Sequence, residues 1–203
     1  LAEKALKDWN VRSFIVIKSD LVFEQRAIQS LIETRAPFAA LLTAPGGGSD
    51  ELLAELDENG CIFRFSKDIR QINRVQGEMT GIARISMEGF ERMLEYFSHN
   101  MNPLISYEYV MESVGRLYRF TGVMVDDLCW GKIESPEDYR ELLRLTYSRI
   151  ERKERQMQEQ YARDMMRKIL PDDEVQEVQF AGGLTNTNYL IQADSGRYIL
   201  RLP

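Results

Sequence analysis

Apolar residues fall along this chain in short runs, and the spacing within each run predicts an element. Phe14-Ile15-Val16-Ile17 is compact, β-branched and closed by Lys18-Ser19-Asp20, which predicts a buried strand. Residues 1–8 before it read as the tail of a helix. Ala27, Ile28, Leu31 and Ile32 share one face over residues 24–35, the mark of an amphipathic helix. Phe38 to Thr43 predicts a second strand. Strand, helix, strand at this spacing predicts a βαβ unit, with a parallel sheet covered by helices.

The pattern then changes. Residues 44–50, APGGGSD, predict a loop; its glycines could cradle phosphate, but no lysine follows as in a Walker loop. Residues 51–72 predict a small strand-rich excursion, turning at Asn59-Gly60 into Cys61-Ile62-Phe63-Arg64-Phe65. GEMTGIARIS (77–86) predicts a glycine-punctuated strand. A helix bearing Phe90, Met93, Leu94 and Phe97 follows, ending before Asn102-Pro103. Ser106 to Leu117 predicts another helix, with Tyr109, Val110, Val114 and Leu117 on its apolar side, and FTGVMVDDLCW (120–130) a strand region.

Ser135 is placed to cap a long helix, with Pro136 in its first turn and Glu137 and Asp138 at its electropositive end. Tyr139, Leu142, Leu143, Ile150, Met157, Tyr161 and Met165 recur at helical spacing to about residue 168. The outer face carries Glu151–Arg155 and Glu159–Arg163 at i,i+4. Pro171 closes this helix. Val175–Phe180, Tyr189–Ala193 and Tyr198–Leu202 then predict three antiparallel strands, which are a poor core alone. The sequence therefore places a boundary near residues 165–172. Residues 1–168 form one domain with a long C-terminal helix, and residues 173–203 begin a second lobe.

Composition narrows the function classes. The chain has 203 residues, a formal net charge of −6 and 44% hydrophobic residues. An acidic balance argues against a nucleic-acid footprint but leaves room for small anions held by local groups and a metal. No run is long enough for a membrane span, and the N-terminus has no apolar stretch of signal type. Cys61 and Cys129 make no disulfide framework and read as buried free thiols, which fits a cytoplasmic setting. With His99 the sole histidine, a multi-histidine zinc site is excluded.

Two acids stand out. Asp20 follows an apolar strand, where open α/β sheets bind ligands, and there it either holds Mg²⁺ or caps the next helix. Glu134 precedes the Ser135-Pro136 helix start and is either a metal carboxylate or a helix N-terminal acid. Only the fold could bring these two together. Asp126 and Asp127 read as loop surface. Glu78 and Glu108 are candidates for a cationic substrate group, with Tyr107, Tyr109 and Trp130 able to hold a quaternary ammonium; the plainer reading of the aromatics is core.

FIVIKSDLVF (14–23), GEMTGIARIS (77–86), SYEYVMESV (106–114) and CWGKIESPEDY (129–139) resemble the later two thirds of a nucleotidyltransferase domain of the sugar-phosphate and phosphocholine cytidylyltransferase type. FAGGLTNTNYLI (180–191) and RYILRLP (197–203) resemble the first strands of a choline kinase-like, aminoglycoside phosphotransferase-type lobe. The resemblance implies an α/β fold with a Rossmann-like mixed sheet, followed by antiparallel strands of a kinase-like lobe. It implies a bifunctional protein that transfers a cytidylyl group from CTP to phosphocholine or a similar amino-alcohol phosphate. The alternatives are a sugar-1-phosphate or aminoethylphosphonate nucleotidyltransferase and a degenerate nucleotide-binding scaffold; homo-oligomerisation stays open.

By the same resemblance, Asp20 and Glu134 hold Mg²⁺, and Glu78, Glu108, Tyr107, Trp130 and Lys132 meet the substrates. Gly182, Gly183, Thr185, Asn186 and Arg201 meet ATP in the kinase-like lobe. Two positions depart from the family pattern. Glu134 stands where Asp is usual, and Lys132 stands where an acid is frequent, so that it could touch phosphate instead. The family's opening glycine-rich loop, its pyrimidine-binding part and the kinase catalytic loop are not found in residues 1–203. This piece by itself is therefore expected to be inactive.

Overall fold

The computed structural model describes residues 2–46, 51–182 and 186–202. The chain folds as two compact units, Leu1–Thr146 and Tyr147–Pro203.

The first unit is built on one long strand. In chain order its elements are α1 (Ala2–Asp8), β1 (Ser13–Ile17), β2 (Leu21–Phe23), α2 (Arg26–Glu33), β3 (Phe38–Thr43), β4 (Leu53–Leu56), β5 (Ile62–Ser66), β6 (Gly77–Ser86), α3 (Met87–His99), α4 (Tyr107–Gly115), β7 (Thr121–Met124), β8 (Trp130–Lys132) and α5 (Pro136–Leu142). The main sheet runs β5-β4-β6-β3-β7, with β1 also paired to β6. β3 lies antiparallel along one side of β6, from Phe38 opposite Ile85 to Thr43 opposite Glu78. The other side of β6 is shared. β1 takes its second half, from Ser13 opposite Ser86 to Ile17 opposite Ile82, and β4 takes only Gly77 and Glu78. The sheet therefore forks near Gly81, whose φ of +91° is a conformation that a side chain disfavours.

This arrangement corrects the predicted βαβ unit. β1 and β3 are not neighbours, because β6 lies antiparallel between them; the parallel pair is β3 with β7. An apolar run fixes a strand but not its partner. β1 is also half-buried rather than buried, with Ile17 43% exposed, as suits a strand paired on one side.

β3 is buried at every position because it has a layer on each face. Phe38, Ala40 and Leu42 pack with Met93, Val110, Met111, Val114 and Phe120, beneath α3 and α4. Ala39 and Leu41 pack on the opposite face with Ala27 and Leu31 of α2 and with Ile82. The Phe38 and Phe120 rings stand 4.6 Å apart. Such aromatics dominate core energetics, at about 3–5 kcal/mol for truncation to alanine. Ile32, Phe97 and Leu117, which the sequence places on apolar helix faces, are exposed.

The β4–β5 turn forms as its residues require. Gly60 takes φ +73°, and the Asp57 carboxylate accepts from the Asn59 and Cys61 amides.

Local chemistry likewise sets α5. The Ser135 hydroxyl accepts from the Asp138 amide, and Pro136 opens the helix. Leu142 packs over Gly131 so closely that a Cβ there would stand 2.3 Å from its Cδ2. The helical segment predicted from Pro136 to about residue 168 consists of α5, a π-helical turn at Leu143–Tyr147 and α6 (Ser148–Ile169).

The second unit contains α6, β9 (Val175–Gly182), β10 (Thr187–Ala193) and β11 (Gly196–Leu202), with the strands antiparallel in the order β11-β10-β9. Its core joins Ala162 and Met166 of α6 to Val175, Val178, Tyr189 and Ile191. The predicted stripe of Met157, Tyr161 and Met165 is displaced by one position: Met157 and Tyr161 are exposed, and the small Ala162 lets the sheet approach. Arg163 donates to the Val175 carbonyl at 2.7 Å. The sequence grouped this helix with the preceding domain. By compactness it groups with the strands that follow, since they bury its apolar face. The three strands thus have the helical cover that they lacked on paper.

Candidate active site

The fork of β6 opens into a cavity of about 310 Å³, lined by residues from distant parts of the first unit. Lys18 and Asp20 follow β1, and Lys67 follows β5. Ser106, Tyr107, Glu108 and Tyr109 belong to the start of α4. Lys132 ends β8, and Glu134 precedes α5; Leu52 and Met79 supply apolar wall.

The convergence of Asp20 with Glu134 has a visible cause. β2 and β8 form a small antiparallel ladder that places Leu21 opposite Lys132. The Ile133 amide extends it with a 2.7 Å hydrogen bond to the Asp20 carbonyl. Gly131, beneath Leu142, holds β8 against α5, and the Asp138 carboxylate accepts from the Glu134 amide at 3.1 Å. Two residues far apart in the chain are thereby one step from a cross-strand pair.

Glu108 is a buried acid, 4% exposed, and Lys18 Nζ lies 2.6 Å from its Oε1. Burial acts to raise its carboxyl. The hydrogen bond from Lys18, those from its own amide and the Ser106 hydroxyl, and the charge of Lys18 outweigh burial and hold it below the usual carboxylate range. Burial, followed by the charges of Glu108 and Asp20, pushes the Tyr107 phenol well above its ordinary value, so that it stays protonated. Its hydroxyl is buried without a hydrogen-bond partner among the described residues.

Five of the seven residues singled out for metal and substrate line this one cavity: Asp20, Glu134, Glu108, Tyr107 and Lys132. Glu78 and Trp130 do not. Glu78 is buried beside β3 and accepts from the Gly46 amide at 3.1 Å. Burial raises its carboxyl, the Gly46 hydrogen bond opposes this, Glu51 adds to it, and Lys132 pulls it back. Trp130 packs against the Ala27–Leu31 cluster, and Lys132 Nζ stands over its ring, 5.8 Å from the centroid. Lys18 and Lys67 were missed. Lys18 had a weak signal, two residues before Asp20 at a strand end. Lys67, in a loop after β5, had none.

The donor set suits magnesium. Among the described residues no group of three acidic, histidine or cysteine side chains could hold a metal. Mg²⁺ is commonly held by one or two carboxylates together with substrate phosphates and waters, and Asp20 and Glu134 offer such hard oxygens in one cavity.

Arg26 donates to the Asp126 and Asp127 carbonyls in the loop before β8. Both cysteines are free thiols, Cys129 buried and Cys61 half-buried. Among the described residues no helix is long and apolar enough to cross a membrane. In the second unit Gly182 has φ +82° and its carbonyl accepts from Asn188. Asn186 precedes β10, and Arg201 on β11 lies directly opposite Asn188. Gly183 and Thr185 lie outside the described residues, as do residues 47–50 of the glycine-rich loop.

No family model matches the chain. Solved structures do. The chain is similar to the inositol-1-phosphate CTP transferase from T. maritima, with TM-score 0.53 and 18% identity over 66% of this chain and 54% of that one. It is similar to a CMP:2-keto-3-deoxy-manno-octonic acid synthetase solved with CTP, with TM-score 0.51 and 13% identity over 73% of this chain and 67% of that one. A nucleoside-diphosphate-sugar pyrophosphorylase from Vibrio cholerae RC9 gives TM-score 0.50 and 14% identity over 70% and 61%. The chain thus spans about half to two thirds of these proteins. These neighbours are nucleotidyltransferases, and the mixed α/β sheet of the first unit is their fold, followed here by additional antiparallel strands.

Proposed function

We propose that the first unit carries the metal and acceptor side of a nucleotidyltransferase that joins a cytidylyl group from CTP to a small phosphomonoester and releases pyrophosphate. The observation that carries this reading is the presence of Asp20 and Glu134, with Lys132, on the walls of one cavity in a nucleotidyltransferase-type fold.

The chemistry asks little of the protein beyond placement and charge. An oxygen of the acceptor phosphate attacks the α-phosphorus. The new P–O bond forms as the bond to the bridging oxygen of the β-phosphate breaks, and pyrophosphate leaves. A phosphate dianion needs no base to activate it and no covalent enzyme intermediate. Asp20 and Glu134 would hold magnesium, which supplies charge neutralisation at the phosphates. Lys132 and Lys67 line the same cavity and would offer their charge to phosphate oxygens.

The acceptor suggested by the sequence is phosphocholine or a similar amino-alcohol phosphate, held by Glu108 and the aromatic residues. A second reading, an uncharged polyol or sugar phosphate, is favoured by one observation: Glu108 already carries Lys18 as its counter-ion. For the second unit we propose the first strands of a kinase-like lobe, with Gly182, Gly183, Thr185, Asn186 and Arg201 directed to ATP phosphates.

The test is pyrophosphate release by the full-length gene product with CTP, Mg²⁺ and a panel of phosphocholine, polyol phosphates, sugar 1-phosphates and aminoethylphosphonate. Transfer that requires Mg²⁺ and vanishes in Asp20→Ala is expected. No release with any acceptor, and no binding of CTP–Mg²⁺, would favour a degenerate scaffold.

A further inference from the structure

Glu108 is an acid that already has its cation. The Lys18 ammonium sits 2.6 Å from a carboxylate that is almost wholly buried. The route taken by the lysine is built into the sheet. β1 and β4 part along β6, and the Lys18 stem crosses β6 at Gly81, where a Cβ would stand 2.9 Å from Lys18 Cδ and 3.2 Å from Cγ. Gly81 has neither the side chain that would block this path nor the φ that a side chain prefers. The Lys18 amide is itself tied to the Gly81 carbonyl at 3.1 Å.

We infer that Lys18 is a resident cation filling the acidic subsite at Glu108, so that the cavity takes a phosphomonoester whose only charge is its phosphate and turns away one that carries an ammonium group. This rests on the acceptor reading proposed above for the same cavity. An incoming ammonium would meet Lys18 at close range, where like charges repel strongly in a partly desolvated site. Displacing Lys18 would mean withdrawing its stem from the Gly81 gap. A hydroxylated, uncharged body meets neither obstacle.

The test uses tetramethylammonium as the probe and calorimetric titration as the readout, so it needs no turnover. Lys18→Met keeps the stem and removes the charge. It is expected to bind tetramethylammonium about tenfold or more tightly than the wild type, a change of about 1.4 kcal/mol. Lys18→Arg should exclude the probe as the wild type does. The double variant Lys18→Met/Glu108→Gln should lose the gain, which ties the effect to the acid. Equal binding by the folded Lys18→Met variant and the wild type overturns the inference. If the buried acid prevents Lys18→Met from folding, the wild type decides: saturable binding of the probe that Glu108→Gln abolishes overturns the inference, and its absence supports it. A wild type that transfers to no acceptor sinks the reading of the reaction and leaves this binding result standing.

Discussion

Two hollows in the first unit differ in how they are made. The groove between α3 and α4, about 420 Å³, is lined by Arg92, Glu95, Tyr96, His99 and Asn100 from one helix and its cap, and by Ser113 and Val114 from the other with Leu117 just beyond its end. It is what two packed helices leave wherever their surface ridges do not meet. The cavity at the fork of β6 is smaller, about 310 Å³, yet its charged side chains come from four separate places in the chain. A groove between sequence neighbours needs no special provision. Bringing Lys18, Asp20, Glu108, Lys132 and Glu134 together takes a forked sheet, a helix start and a two-stranded ladder. The size of a hollow is therefore a poor guide to function here, and convergence of charge is a better one.

The largest effect should come at the acids proposed to hold magnesium. Asp20→Ala is expected to lower kcat for transfer by the full-length gene product about 10³-fold, the scale for losing a group that stabilises transition-state charge. In the same assay His99→Gln and Leu117→Ser, both in the helical groove, should stay within about twofold, as for surface changes. Comparable losses at Asp20 and His99 would erase the distinction between the two hollows.

A second contrast lies within α4. Glu108 faces the cavity, whereas Glu112, also buried, accepts from the Phe65 amide at 2.8 Å and pairs with Arg116 at 2.7 Å. Glu112→Ala leaves a buried amide unpaired and should cost about 1–3 kcal/mol in urea unfolding.

pH separates Glu108 from Glu78 with opposite signs. The folded Glu108 carboxyl lies below its unfolded value, so its contribution is present above roughly pH 4.3 and fades as pH falls through the folded value. The folded Glu78 carboxyl lies above its unfolded value, so the wild type should gain on Glu78→Gln as pH falls through that region. Urea midpoints from pH 3 to 7 for both variants check this; like-signed trends would overturn the burial argument for Glu78. The effect at Glu78 should be the smallest of the set.

Much of this was legible because the signals are local. Ser135-Pro136 named the start of α5, Asn59-Gly60 named a turn, and the Phe38–Thr43 run named a strand. What failed depended on partners. The run at 14–17 looked like the first strand of a parallel pair, but nothing in it says that β6 will insert beside it. Met157, Tyr161 and Met165 have the right spacing and lie one position off the buried stripe, because Ala162 allows the closer approach. Trp130 and Glu78 looked like pocket residues by type. The fold turned one against α2 and the other toward the Gly46 amide.

By itself, the sequence determined where chain direction, capping and apolar periodicity set each element, and it marked Asp20 and Glu134 as residues in want of each other. The tertiary structure decided that they line one cavity, that Glu108 arrives there already paired with Lys18, and that α6 covers the strands that follow it. The physical reason is one of range. Helix caps and turn residues act over a few positions. Burial, ion pairing and strand order depend on which distant segment comes to lie alongside, and that is settled only when the whole core packs.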